Sequence, residues 1–117
     1  MIGNSVREFK AGIFQGLAHP TRVAIAELLG EGESSAGALL ERLGVEQANL
    51  SQHLSVMRAK GIVTSRKEGN QVFYSLRDPV LSEVLSIMRQ YFLTHLSEVS
   101  ELFQTMAAEG SQSSGSQ

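Results

Sequence analysis

The sequence of 117 residues has no cysteine and no tryptophan, only two prolines, and few aromatics. Without cysteine there is no disulfide frame, no thiolate metal ligand and no cysteine nucleophile. No stretch approaches the roughly 18 apolar residues of a membrane-spanning helix. The opening residues, Met1 to Glu8, show no basic segment followed by an apolar one, so neither a signal peptide nor a membrane partner is expected, and the reading places the protein in the cytoplasm. There is no glycine-rich phosphate loop, no paired set of catalytic carboxylates and no nucleophile beside a base. Three scattered histidines do not make an active site, so neither catalysis nor a cofactor is expected.

What is present is an ordinary globular composition, 42% hydrophobic and 19% charged, at a length that suits one domain. A lone domain of this size buries a modest core, so a partner surface would help it. The net charge of −2 hides an uneven distribution. Residues 45–77 carry five basic groups (Arg58, Lys60, Arg66, Lys67, Arg77) against Glu46 and Glu68, a net of +3. Residues 78–109 carry one basic and five acidic groups, a net of −4. The middle third is therefore where a phosphate-facing surface is expected.

Apolar spacing predicts the elements. Val6, Phe9, Ile13 and Leu17 share one face of a helix over residues 5–17. Pro20 opens a second helix, where its missing N–H costs nothing, and Gly30-Glu31-Gly32 stops it. Ser34 or Ser35 caps a short third helix ending at Leu43. After Gly44 a fourth helix runs from Glu46 to Lys60 with Leu50, Leu54 and Met57 inward, and Gly61 ends it. The period then changes. Residues 62–66 and 72–76 are rich in β-branched and aromatic types around a Gly69-Asn70 turn, which reads as a hairpin of two strands. From Pro79 to Met106 no glycine or further proline intervenes. Leu85, Met88, Phe92, His95, Val99, Leu102 and Met106 recur at alternating steps of three and four, a heptad seam. Such a helix is roughly 40 Å long at about 1.5 Å per residue. A short domain cannot cover it from one side, so a second copy of the chain is expected against it. Residues 1–107 form the expected domain, and the Gly/Ser/Gln-rich residues 108–117 a disordered tail.

Two helices across a tight glycine turn, followed by a hairpin, make a mainly helical (α+β) winged helix-turn-helix. The fourth helix would enter the major groove of double-stranded DNA and present Gln47, Ala48, Asn49, Ser51, Gln52 and His53 to base edges. Amides pair bidentately with adenine, and a small apolar group meets the thymine methyl. Arg66 and Lys67, with Asn70 and Gln71 at the wing tip, are expected at phosphates or the adjacent minor groove. Arg22 is a further candidate phosphate contact. The expected homodimer interface draws Val6, Phe9 and Ile13 from the first helix, and Leu85, Met88, Phe92, His95, Val99 and Leu102 from the last. A helical interaction module that has lost DNA binding is the competing reading.

The run from Leu17 to Pro79 resembles the ArsR/SmtB-type bacterial repressors. The resemblance rests on His19-Pro20-Thr21-Arg22, Leu50-Ser51-Gln52-His53-Leu54, Arg58 with Lys60-Gly61-Ile62-Val63, and Gly69 to Leu76. It implies an elongated homodimer, joined through its first and last helices, that represses genes and is released from DNA by an inducer, often a metal ion. The metal sites of that family are missing here. Ser35, Ala36 and Gly37 stand where the soft-metal members place cysteines. Asp78, Val80, Tyr91 and Thr94 occupy the zinc-type positions, and one carboxylate does not make a tetrahedral site. A nickel- or zinc-responsive regulator would have to use His95 and Glu98 of two copies. A small-molecule effector between the long helices, or no effector at all, are the other options. Glu46, where the family often has serine, favours the helix dipole but faces phosphates unfavourably.

Overall fold

The computed structural model describes residues 2–115, with side chains placed for residues 3–110. The elements are α1 (Ile2–Leu17), α2 (Pro20–Gly30), β1 (Ser34–Ser35), α3 (Ala36–Leu43), α4 (Gln47–Ala59), β2 (Val63–Glu68), β3 (Gln71–Leu76) and α5 (Val80–Gly115). They form two compact units, the first ending at Ser82 and the second beginning at Glu83.

Local chemistry sets the helix ends in the first unit. The orphan carbonyls that close α1 are met by Arg22, whose Nε donates to the Gly16 carbonyl at 2.8 Å and whose Nη2 donates to that of Gln15 at 3.4 Å. His19 caps α2 from an extended backbone, its Nδ1 accepting from the Thr21 N–H at 3.0 Å, with Pro20 in the first turn. Ser35 caps α3 by accepting from the Ala38 N–H at 3.1 Å. Helix α4 ends in a Schellman motif. The Ile62 N–H reaches the Met57 carbonyl at 2.9 Å and the Gly61 N–H reaches that of Arg58 at 3.0 Å. Gly61 has φ +74° there, a conformation only glycine adopts without strain.

The core of this unit is Leu17, Ile25, Ala26, Leu29, Leu39, Leu50, Leu54, Met57, Ile62 and Val63, all nearly inaccessible. Burying an aliphatic side chain of this kind contributes roughly 1.5–3 kcal/mol. The core holds α2, α3, α4 and the start of β2 together, which fixes how α4 is presented.

The sheet differs from the sequence expectation in having three strands, in the antiparallel order β1-β3-β2. The expected hairpin is present. Val63 pairs with Leu76 and Glu68 with Gln71, leaving Gly69-Asn70 as a two-residue loop. Gly69 at φ +61° takes the first central position, where a type II′ turn needs glycine. The added strand pairs Ser34 with Tyr74 and Ser35 with Phe73. Two serines carry no alternation of apolar and polar residues. They are strand-like because they lie along the open edge of β3.

In the second unit the backbone stays helical to Gly115, past the expected end near Met106. Single glycines such as Gly110 weaken a helix by about 1 kcal/mol relative to alanine without ending it. Of the expected tail, Ser116 and Gln117 lie outside the described residues. Among the described residues no helix is long and apolar enough to cross a membrane.

Candidate nucleic-acid interface

Helices α3 and α4 are joined by Gly44, Val45 and Glu46, with Gly44 closing α3 in the left-handed region. Glu46 is the N-cap of α4 by backbone geometry but makes no capping bond with its side chain. One face of α4 is anchored by Leu50, Leu54 and Met57, none more than 3% exposed. The other face presents Gln47, Ala48, Asn49, Ser51 and Gln52 to solvent. Five of the six expected base-facing residues thus share one open surface.

The sixth, His53, is half-buried and turned toward α2. Its ring lies 4.3 Å from the His19 ring, tilted by 43°, and its Nδ1 is 3.2 Å from Arg22 Nη1. Because Arg22 can only donate, His53 Nδ1 must accept, which requires the neutral imidazole with its proton on Nε2. Burial, followed by the nearby His19 and the Arg22 charge, holds the His53 pKa below its ordinary value. Arg22, read from the sequence as a phosphate contact, is half-buried and engages two carbonyls of α1 and this histidine. The structure therefore brings His19, Arg22 and His53 together as a joint between α1, α2 and α4.

The wing cation is also engaged. Arg66 makes a bidentate pair with Glu33, Nε to Oε2 at 2.9 Å and Nη2 to Oε1 at 2.7 Å. Its Nη1 reaches Glu68 Oε2 at 2.6 Å, and the guanidinium sits 4.6 Å from the centre of the Phe73 ring. Ser75 Oγ donates to Glu33 Oε2 at 3.3 Å. The Arg66 hydrogen bond holds the Glu33 carboxyl below its ordinary range, and Glu33 with Glu68 raises the guanidinium pKa. Two carboxylates thus surround one cation. Lys67, Asn70 and Gln71 are exposed near the wing tip.

Sequence reasoning passed over a groove of about 350 Å³ between α4 and β3, lined by Ser51, Ser55, Arg58, Ala59 and Tyr74. Its helical side was legible, because residues 51, 55 and 58 fall at i, i+4 and i+7 on one face. The contribution of Tyr74 was not, since it comes from strand pairing. Glu33 was equally hidden, 33 residues from the arginine it binds.

The expected interface residues are open in one chain. On α1, Val6 is 45% and Phe9 68% exposed, with Ile13 half-buried. On α5, Met88, Phe92 and Leu102 are 52%, 56% and 59% exposed; His95 is exposed, and Leu85 and Val99 are half-buried. Glu98 is exposed one turn after His95, and among the described residues of one chain no three His, Asp or Glu side chains gather as a metal site. Asp78 has a structural use, its Oδ1 accepting from the Val80 N–H at 2.9 Å where α5 begins.

Residues 17–66 match the family model described as a helix-turn-helix domain. The chain is 40% identical over 105 residues to the HTH-type transcriptional regulator Rv0081 of Mycobacterium tuberculosis, covering 89% of this chain and 92% of that protein. The crystal structure of Rv0081 superposes with a TM-score of 0.72 at 41% identity, over 80% of this chain and 94% of that one. The transcriptional repressor BigR of Xylella fastidiosa superposes with a TM-score of 0.70 at 33% identity, over 78% and 92%.

Proposed function

Since the chain belongs to the ArsR/SmtB-type winged helix-turn-helix transcriptional regulators, we propose that it represses transcription as a homodimer on a palindromic DNA operator. Two copies join through α1 and α5. Each inserts α4 into the major groove, with Gln47, Ala48, Asn49, Ser51 and Gln52 at base edges and the wing tip at the flanking backbone. It acts in the cytoplasm by binding, not by catalysis.

The observation that carries this reading is the split of α4 into a fully anchored face and an open amide-bearing face. A helix held by three core side chains presents its outer residues rigidly, as base readout requires. Amides and small groups suit adenine and thymine edges better than they suit protein packing. The dimer is supported by the open apolar row on α5, which repeats at heptad spacing.

Footprinting of the purified protein on the DNA upstream of its own gene tests the reading. The expected result is a protected inverted repeat with half-sites about one helical turn apart, or a multiple of it. Protection that shows no two-fold symmetry, or no protection at any site, overturns it.

A further inference from the structure

Of the cations expected to meet DNA, two are engaged within the protein. Arg22 holds the end of α1, and Arg66 lies between Glu33 and Glu68. Arg58 differs. It is exposed in the last turn of α4, and among the described residues neither it nor Ser51, Ser55 or Tyr74 enters any side-chain hydrogen bond or ion pair. These four are the polar residues that line the groove between α4 and β3. Tyr74 is fixed there at the middle of the sheet, paired with Ser34 on one side and Ser65 on the other. Helix and strand both belong to the first compact unit.

The chemistry of this lining selects its ligand. A guanidinium supplies charge and a forked set of donors, and the three hydroxyls supply further donors. No carboxylate lines the groove and its only apolar lining residue is Ala59, so it suits neither a cation nor an apolar molecule. Three of these unpartnered donor groups, on Ser55, Arg58 and Tyr74, converge on one concave surface and fit a tetrahedral anion. Building on the DNA-binding reading above, we infer that this groove receives a phosphodiester of one DNA strand as it passes between α4 and the wing. Arg58 neutralises the phosphate, Ser55 and Tyr74 donate to its free oxygens, and Ser51 sits at the border with the base-reading residues. This phosphate contact fixes register and contributes affinity without reading sequence.

The test is fluorescence anisotropy with a labelled duplex selected by the protein from a random pool, and with a scrambled duplex, across a range of salt concentrations. Wild type is compared with Arg58→Gln, Arg58→Lys and Tyr74→Phe, each checked for folding by thermal melting. Arg58→Gln should weaken binding about tenfold on both duplexes alike. It should also flatten the plot of log K against log salt by about one unit per chain. Arg58→Lys should restore the slope, and Tyr74→Phe should lower affinity a few-fold with the slope unchanged. A wild-type slope in Arg58→Gln, or a loss confined to the selected duplex, overturns the inference and leaves the DNA-binding reading standing. Wild type that binds no duplex overturns both. Inorganic phosphate is titrated into the DNA-free protein at constant ionic strength. Saturable submillimolar binding abolished in Arg58→Gln would assign the groove to a free anion instead.

Discussion

The two compact units solve the burial problem differently. Every buried hydrophobic side chain among the described residues lies between Leu17 and Val63, in the unit that ends at Ser82. From Glu83 onward α5 has none, although it carries Leu85, Ile87, Met88, Phe92, Leu93, Leu96, Val99 and Leu102. A helix within a protein is held mainly by packing of its apolar stripe, not by its own propensity. The first unit therefore contains the means of its own stability, whereas α5 needs a surface brought to it. The core that positions α4 lies within one chain, whereas α1 and α5 leave apolar side chains open, which on the proposed reading a second copy covers.

The sharpest way to break that contrast is to charge the seam. In Phe92→Glu with Leu102→Glu, sedimentation should show a single copy where the wild type shows two. Operator affinity should fall by about 10²–10⁴, the gain usually obtained by linking two binding modules. The amide spectrum of residues before Ser82 should stay dispersed. A variant that remains paired, or that loses pairing at no loss of affinity, breaks the comparison. The complementary change is Leu39→Ala, in the middle of the first unit's core and 0% exposed. It should destabilise the fold by about 2–5 kcal/mol in denaturant melts. Below the unfolding transition it should leave the oligomeric state unaltered.

Much of this division could be read from residue spacing. The seam at 85, 88, 92, 95, 99 and 102 is a period, and periods survive without coordinates. So do caps and stops: Pro20, Ser35, Gly44 and Gly61 fell where helices start or end. What could not be read depends on contacts between distant residues. Ser34-Ser35 pairs with β3 only because the fold brings that edge near. Arg66 looked like an available cation, and the carboxylates that surround it include Glu33 from the turn after α2. Arg22 and His53 both looked DNA-facing, yet they contact each other across 31 residues. A charge counted in sequence is not a charge left unpaired in the fold.

Within the first unit that distinction separates Arg58 from Arg66, and Glu33→Gln sharpens it. The wing guanidinium would lose its bidentate carboxylate while Glu68 stays. DNA binding should tighten roughly two- to fivefold, a small effect because exposed ion pairs are weak. The salt dependence should steepen by up to about one unit per chain as Arg66 takes on a phosphate. Weaker binding would mean that Glu33 serves to hold the wing in position, and that its loss disorders the contact.

The smallest expected effect concerns His53, and it tests whether the joint between α1, α2 and α4 is formed in solution. Its pKa lies below the usual histidine value of about 6.5, first because burial disfavours the imidazolium, then because His19 and Arg22 stand beside it. The sign follows from linkage. As pH falls below about 6.5 the unfolded chain takes up this proton before the folded one does. The contribution of neutral His53 to stability is therefore complete above that pH and is lost as pH falls toward the folded-state pKa. NMR titration of the ring nitrogens should give a midpoint below the ordinary value, with the Nε2-protonated form dominant at neutral pH. Arg22→Gln should move the midpoint upward by removing a nearby positive charge, and should also leave the last carbonyls of α1 without their partner. A midpoint at or above the ordinary value in the wild type would mean that His53 points to solvent. It would then rejoin Gln52 and Ser51 on the reading face of α4.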